Sequence, residues 1–229
     1  MTGVTILAFD CSANACSAAL RRDGVVVAAR RVEMARGQAE ALVPMLEAVL
    51  AEARASYAEL TALAVTVGPG AFTGLRIGLA VARGIGLAAH LPVIGVTGFD
   101  AIAEAIEPGP LPMLVAIDTK RGDFYLRCYD AAGRAAAADI VGAADAVARL
   151  IDDEAWLVAG DGSAALAAAL AEGHPRLRFA PPAAPDAVAV AAVAMRLWAA
   201  HTTTGAPLPP AVPFYMRPPE AKLPAARRA

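Results

Sequence analysis

Cysteine is scarce in this chain and poorly spaced for cross-linking. The three residues, Cys11, Cys16 and Cys128, are odd in number and form no C-x-x-C pair. That argues against a disulfide framework and for a reducing compartment. Histidine is equally sparse: His90, His174 and His201 lie far apart, with no H-x-x-x-H or H-E-x-x-H pair. No metal site and no cofactor are therefore expected. G-x-S-x-G is absent, so a nucleophile-elbow serine hydrolase has no support. The formal net charge of −2 gives no general attraction to nucleic acid or acidic lipid. The start shows no signal-peptide pattern. No apolar run is long enough to span a bilayer, because Arg76 and Arg83 interrupt the nearest one. These absences predict a soluble cytoplasmic protein.

Apolar residues, by contrast, are plentiful. They make up 58% of the 229 residues against 18% charged, enough for one large domain or two small ones. The most distinctive stretch is Thr66–Gly78, Thr-Val-Gly-Pro-Gly-Ala-Phe-Thr-Gly-Leu-Arg-Ile-Gly. It leaves an apolar strand, turns at Gly68-Pro69-Gly70 and enters a glycine-studded helix, with Thr73 as the expected N-cap. Strand, glycine turn and helix N-terminus is also a phosphate-receiving geometry. No Walker A lysine follows, however, since Gly74 precedes Leu75 and Arg76. The stretch is not a P-loop.

Along the chain, strands are predicted at Val4–Phe9, Cys16–Leu20 and Val25–Arg30, with an Asp23-Gly24 hairpin turn between the last two. A helix follows over Gln38–Arg54. Its Leu42, Met45, Leu46, Val49 and Leu50 share one face, and Pro44 fits best in a first turn and otherwise kinks the helix. Then come a strand at Leu63–Val67, a helix at Thr73–His90, a strand at Pro92–Val96 and a helix at Phe99–Ile106. After a Pro/Gly linker at 107–112, the pattern restarts. Strands at Met113–Ile117, Phe124–Tyr129 and, weakly, Arg134–Asp139 precede a strand at Trp156–Ala159 and helices at Ser163–Ala171 and Asp186–His201. Gly24 lies 14 residues after Asp10, and Gly133 lies 15 after Asp118. Each half reads strand, Asp-x-x loop, strand, tight turn, strand, then α-β-α pieces. The expectation is an α/β protein with a duplicated actin-like, sugar-kinase-like fold. Its two domains, residues 1–106 and 107–229, would each hold a mixed sheet and flanking helices.

In such a fold the loops after each first strand receive phosphates. Here they are Asp10-Cys11-Ser12 and Asp118-Thr119-Lys120, so Asp10, Ser12, Asp118 and Thr119 are the candidate ligand-binding residues. Neither loop contains a glycine, so side chains would crowd a phosphate. Gly160-Asp161-Gly162 reads as a turn, or as a contact to an adenosine. In the helix after Thr73, Gly74, Gly78, Ala82 and Gly86 recur every four residues, a smooth stripe suited to close helix packing. That stripe and the face of Leu42, Met45 and Leu46 are either core or a partner interface. Arg217, Lys222, Arg227 and Arg228 make a basic tail.

The run Gly68-Pro-Gly-Ala-Phe-Thr-Gly-Leu-Arg-Ile-Gly78 closely resembles the signature of the TsaB (YeaZ) family of tRNA threonylcarbamoyladenosine biosynthesis proteins. Ile6–Ser12, Leu91–Val96, Ala116–Asp118 with Phe124-Tyr125, and Pro213–Arg217 match as well. The resemblance implies a non-catalytic scaffold that pairs with a metal-bearing TsaD-type paralogue. A TsaE-type ATPase joins the pair, and tRNA is met through the complex. It also implies a homodimer in isolation, built on the Gln38 and Thr73 helices, with Leu42, Met45, Leu46, Gly74, Gly78 and Ala82 at the interface. Two residues depart from the pattern: Gln38 stands where many members have histidine, and Cys11 where threonine is usual. Two other readings compete, an independent kinase or ATPase using the Asp10 and Asp118 loops, and a peptidase-like protein.

Overall fold

Two short-looped hairpins organise the chain, one at the start of each half. The structure, a computed structural model, describes residues 3–217 except 108, 137, 148–149, 152–153 and 171–174. Lys222, Arg227, Arg228, His174 and the predicted end of the Ser163 helix at Ala171 fall outside the described residues. In the first half, β1 (Thr5–Asp10), β2 (Ala15–Arg22) and β3 (Val25–Glu33) form an antiparallel meander. Next come α1 (Gln38–Glu52), β4 (Ala62–Gly68), α2 (Phe72–Ala89), β5 (Val93–Thr97) and α3 (Gly98–Glu104). The second half holds β6 (Met113–Asp118), β7 (Phe124–Tyr129), β8 (Ile140–Gly142), α4 (Ala144–Val147), β9 (Trp156–Ala159), α5 (Ser163–Ala169), β10 (Leu177–Phe179) and α6 (Ala187–Thr204).

The first sheet runs β3-β2-β1-β4-β5 and the second β8-β7-β6-β9-β10. In both, the first strand pairs antiparallel with the second and parallel with the fourth. Equal order and equal strand sense in two halves is the duplicated actin-like, sugar-kinase-like plan.

Period-two alternation decides which face each side chain covers. Leu7, Phe9, Cys16, Ala18, Leu20, Leu63 and Val65 face α1 and α2. Ile6, Ala8, Ala62, Ala64, Ile94 and Val96 face α6. With both faces covered, the central strands are mostly apolar, with buried Thr5, Asp10 and Thr66 the exceptions. In the second sheet, Leu114, Ala116, Phe124 and Leu126 pack with α4 and α5, while Val115 and Ile117 meet Phe99 and Ile102 of α3.

Several expectations need correction. Helix α6, predicted within the second domain, packs on the first sheet, because its alanine-rich face fits the small residues of β1 and β4. Pro44 lies beyond the first turn of α1. It is exposed, so the carbonyl left without its N–H donor can turn to water. Thr73 is not the N-cap of α2: Ala71 is, with no side-chain cap. The third strand of the second half is Ile140–Gly142 rather than Arg134–Asp139, where Ala135 makes only an isolated bridge to Tyr129. The stretch Gly160-Asp161-Gly162 is a tight turn against the second sheet. It docks on β6: a Cβ on Gly162 would come within 3.0 Å of the Ala116 carbonyl oxygen, and Asp161 Oδ1 accepts from the Asp118 N–H at 3.0 Å.

Candidate functional site

The two Asp-x-x loops occupy equivalent places in the sheets but differ in their surroundings. Asp10 ends β1 and is fully buried. Its Oδ1 accepts from the Ser12 N–H at 3.1 Å and from the Ser12 hydroxyl at 2.5 Å. Oδ2 and the buried Thr66 hydroxyl beside it make no hydrogen bond of good geometry, though Thr66 still opposes the rise in the Asp10 pKa. Burial raises the Asp10 pKa above the usual carboxylate range, against the opposing hydrogen bonds from Ser12. A neutral carboxyl can donate from Oδ2 to Thr66, and a carboxylate can accept from the Thr66 hydroxyl.

The glycine turn and α2 seal this loop. The Ala71 N–H donates to the Ser12 carbonyl at 2.7 Å. A Cβ on Gly70 would lie 2.5 Å from the same oxygen, and one on Gly74 would overlap the Cys11 carbonyl oxygen. Backbone on backbone at this distance needs glycine. Asp10 and Ser12 are therefore covered by α2 and the glycine turn, with no surface left open at either side chain. Behind them, β1–β2 pairing brings the Cys11 and Cys16 sulfurs to 3.5 Å as free thiols. The shared hydrogen bond and burial push the Cys11 thiol up.

The second loop is open. Asp118 accepts from the Lys120 N–H at 2.6 Å and pairs with its ammonium at 2.8 Å. Partial burial opposes ionisation, but the Lys120 contacts win and hold Asp118 below the usual range. The Thr119 hydroxyl donates to the Asp123 carbonyl at 3.0 Å. Of the four candidates, only Thr119 lines a cleft, which measures about 710 Å³. The glycine turn and the start of α2 form one wall of that cleft, and the Thr119–Tyr125 region and residues 214–217 complete it.

Sequence reasoning missed the cluster at the mouth of this cleft. Phe72 and Tyr215 stack with centroids 5.6 Å apart at 29°. The Arg76 guanidinium lies 3.8 Å over Phe72 and donates to the Tyr215 hydroxyl at 3.2 Å. Arg217 pairs with Asp123 and sits 5.9 Å over Tyr125. The only signal was the Pro213–Arg217 segment, and nothing local ties it to α2 across 139 residues.

The helices expected to meet a partner turn their predicted faces inward. Leu42, Met45, Leu46, Gly74, Gly78 and Ala82 are all buried in this chain's own core. A Cβ on Gly78 would meet Val65 of β4 at 3.3 Å. The stripe thus brings α2 close to its own sheet and leaves none of these six for a partner. The outward faces carry Val43, Phe72 and Leu87 instead, at 43%, 49% and 79% exposure. Among the described residues, α2 has the length and apolarity of a membrane span, but its small-residue stripe is spent on β4. Gln38 donates to the Met34 carbonyl at 3.1 Å, closing the entry to α1. Among the described residues, no three metal-ligating side chains converge.

Residues 32–201 match the family described as TsaD: tRNA N6-adenosine threonylcarbamoyltransferase. The chain belongs to the TsaD family. It is 39% identical over 127 residues to the tRNA threonylcarbamoyladenosine biosynthesis protein TsaB of Escherichia coli. That match covers 54% of each chain, so it spans about half the length of the curated relative. An uncharacterized protein of Mycobacterium bovis is 36% identical over 221 residues, covering 95% of this chain and 94% of its own. The solved structure of YeaZ from Pseudomonas aeruginosa superposes with a TM-score of 0.78 at 29% identity, covering 93% of this chain and all of that one. In this TsaD-family chain, the loop after β1 is covered by the chain's own helix α2.

Proposed function

We propose that the chain works in tRNA threonylcarbamoyladenosine biosynthesis as a non-catalytic scaffold or activator subunit. It pairs with a TsaD-type transferase, is joined by a TsaE-type ATPase, and forms a homodimer when alone. The observation that carries this reading is the sealed first loop. A phosphoryl-transfer or nucleotide-hydrolysing site needs a carboxylate beside room for phosphate and metal, and Asp10 has no such room. The resemblance to TsaB and YeaZ supports the pathway. The exposed apolar residues Val43, Phe72 and Leu87 on the outward side of α1 and α2 support a protein partner. Taken with the pathway, these features favour a cytoplasmic protein organised in two domains.

The test is a pull-down from the native cytoplasm, followed by nucleoside analysis of total tRNA. The TsaD-type paralogue is expected in the eluate, and a deletion strain is expected to lose threonylcarbamoyladenosine. Leu87→Glu should weaken capture without lowering thermal stability, because Leu87 is 79% exposed. Unchanged tRNA modification in a clean deletion strain would refute the reading. The independent kinase or ATPase reading requires magnesium-dependent turnover of a nucleotide, which the closed Asp10 loop opposes. The peptidase reading has no cluster of three metal-ligating side chains to support it among the described residues.

A further inference from the structure

The cleft beside α2 has a chemistry that scaffolding does not use. About 710 Å³ of space is lined by Phe72, Tyr125 and Tyr215 together with Arg76, Arg121 and Arg217. No carboxylate lines it among the described residues. Asp123 at its edge is already paired with Arg217, and Asp118 with Lys120. The aromatic rings remain partly accessible: Phe72 is 49% and Tyr215 42% exposed. Arg76 is exposed too; its contacts are a ring face and a hydroxyl, neither of which neutralises its charge.

Partly exposed rings beside cations, on a protein of net charge −2, form a local and specific feature. Together they match the two needs of an unpaired nucleic-acid strand: flat surfaces for bases and cations for the backbone phosphates. We infer that this cleft binds single-stranded RNA, with a base stacking on the side of Tyr215 away from Phe72 and a phosphate held by Arg76. The cleft is open at the mouth, as a strand passing through requires. This departs from the expectation that tRNA is met only through the partner. It rests on the proposed role in tRNA modification for the identity of the strand, but on the cleft alone for its chemistry.

The experiment measures fluorescence anisotropy of a labelled short single-stranded oligoribonucleotide on the purified full chain, at about 50 mM and about 200 mM salt. A double-stranded RNA and ATP serve as competitors. The single strand should bind, and its affinity should fall with salt by roughly 0.7 log units per log unit of salt for each phosphate contact. Arg76→Gln and Tyr215→Ala should each weaken binding at least about fivefold, whereas Tyr215→Phe, which keeps the ring, should retain most of it. Both positions are exposed, and melting temperatures of the variants check the fold. The inference is overturned by any of three results: no binding at about 100 μM protein in low salt, binding indifferent to Arg76→Gln and Tyr215→Ala, or displacement by ATP as effective as by the strand, which would mark a mononucleotide site. Pull-down and nucleoside analysis do not depend on this contact, so its failure leaves the scaffold reading standing.

Discussion

The loops after β1 and β6 hold equivalent positions in two sheets of the same strand order, yet one is a sealed core element and the other an open surface turn. At the first, Gly70 and Gly74 let the α2 N-terminus rest on the Cys11 and Ser12 carbonyls, and Asp10 loses all contact with water. At the second, no long helix descends on the loop. Asp118 instead meets Lys120 at the surface, and Lys120 takes a left-handed backbone with φ 60. Duplication thus supplies two similar frames, each with a glycine turn after its fourth strand; the long α2 follows the turn in the first half and the short α5 in the second, and only the first loop is covered.

The contrast is sharpest at the glycines. Gly74→Val should cost about 4 kcal/mol or more, or abolish soluble expression, because the new side chain overlaps backbone that cannot move aside. Denaturant unfolding of any soluble fraction measures it. A variant of normal stability would mean that α2 does not rest on the first loop.

Asp10→Asn is expected to act next, and in the stabilising direction. A carboxyl whose folded pKa is raised contributes its full stability below the unfolded value, near 3.8, and loses it as pH rises through the folded value. At neutral pH the wild type therefore carries the cost of an ill-satisfied buried carboxyl, about 1–3 kcal/mol. The asparagine amide can donate to Thr66 and avoids that cost. The gain should appear at pH 7–8 and disappear near pH 4 in paired thermal melts. A destabilised variant at pH 8 would show that Asp10 is ionised and satisfied.

In the open loop, Gly122 has φ +86 with nothing near its missing Cβ. Gly122→Ala should cost only about 1–2 kcal/mol, all of it backbone strain, so the same measurement on Gly74 and Gly122 separates contact from conformation. Lys120→Ala should have the smallest effect, about 0–1 kcal/mol, since Lys120 is exposed and the pair screened. Asp118 is held below its ordinary value, so the contribution of this pair is present at neutral pH and is lost as pH falls through that lowered value. A difference between wild type and Lys120→Ala that persists at pH 2 would contradict this origin.

Much of the fold could be read in the sequence because local rules and tertiary packing agree there. The apolar runs of β1, β4 and β6, the Asp23-Gly24 turn and the α1 face of Leu42, Leu46, Val49 and Leu50 each follow from period and turn chemistry alone. The repetition of that pattern identifies the duplicated plan. The short strands Ile140–Gly142 and Leu177–Phe179 could not be read so, since three residues carry no usable periodicity and their pairing partners fix them.

The candidate site was legible only as a place. Sequence located the two aspartate loops and the glycine turn, and showed that close packing was at stake at Gly74 and Gly78. It could not tell whether that packing faces another chain or this one, because periodicity defines a helix face but not its neighbour. The tertiary structure turns the stripe onto β4 and the Cys11 carbonyl, brings α6 back to the first sheet, and carries Tyr215 to Phe72 and Arg76. Those outcomes depend on contacts between residues far apart in the chain, which close only when the whole chain has folded.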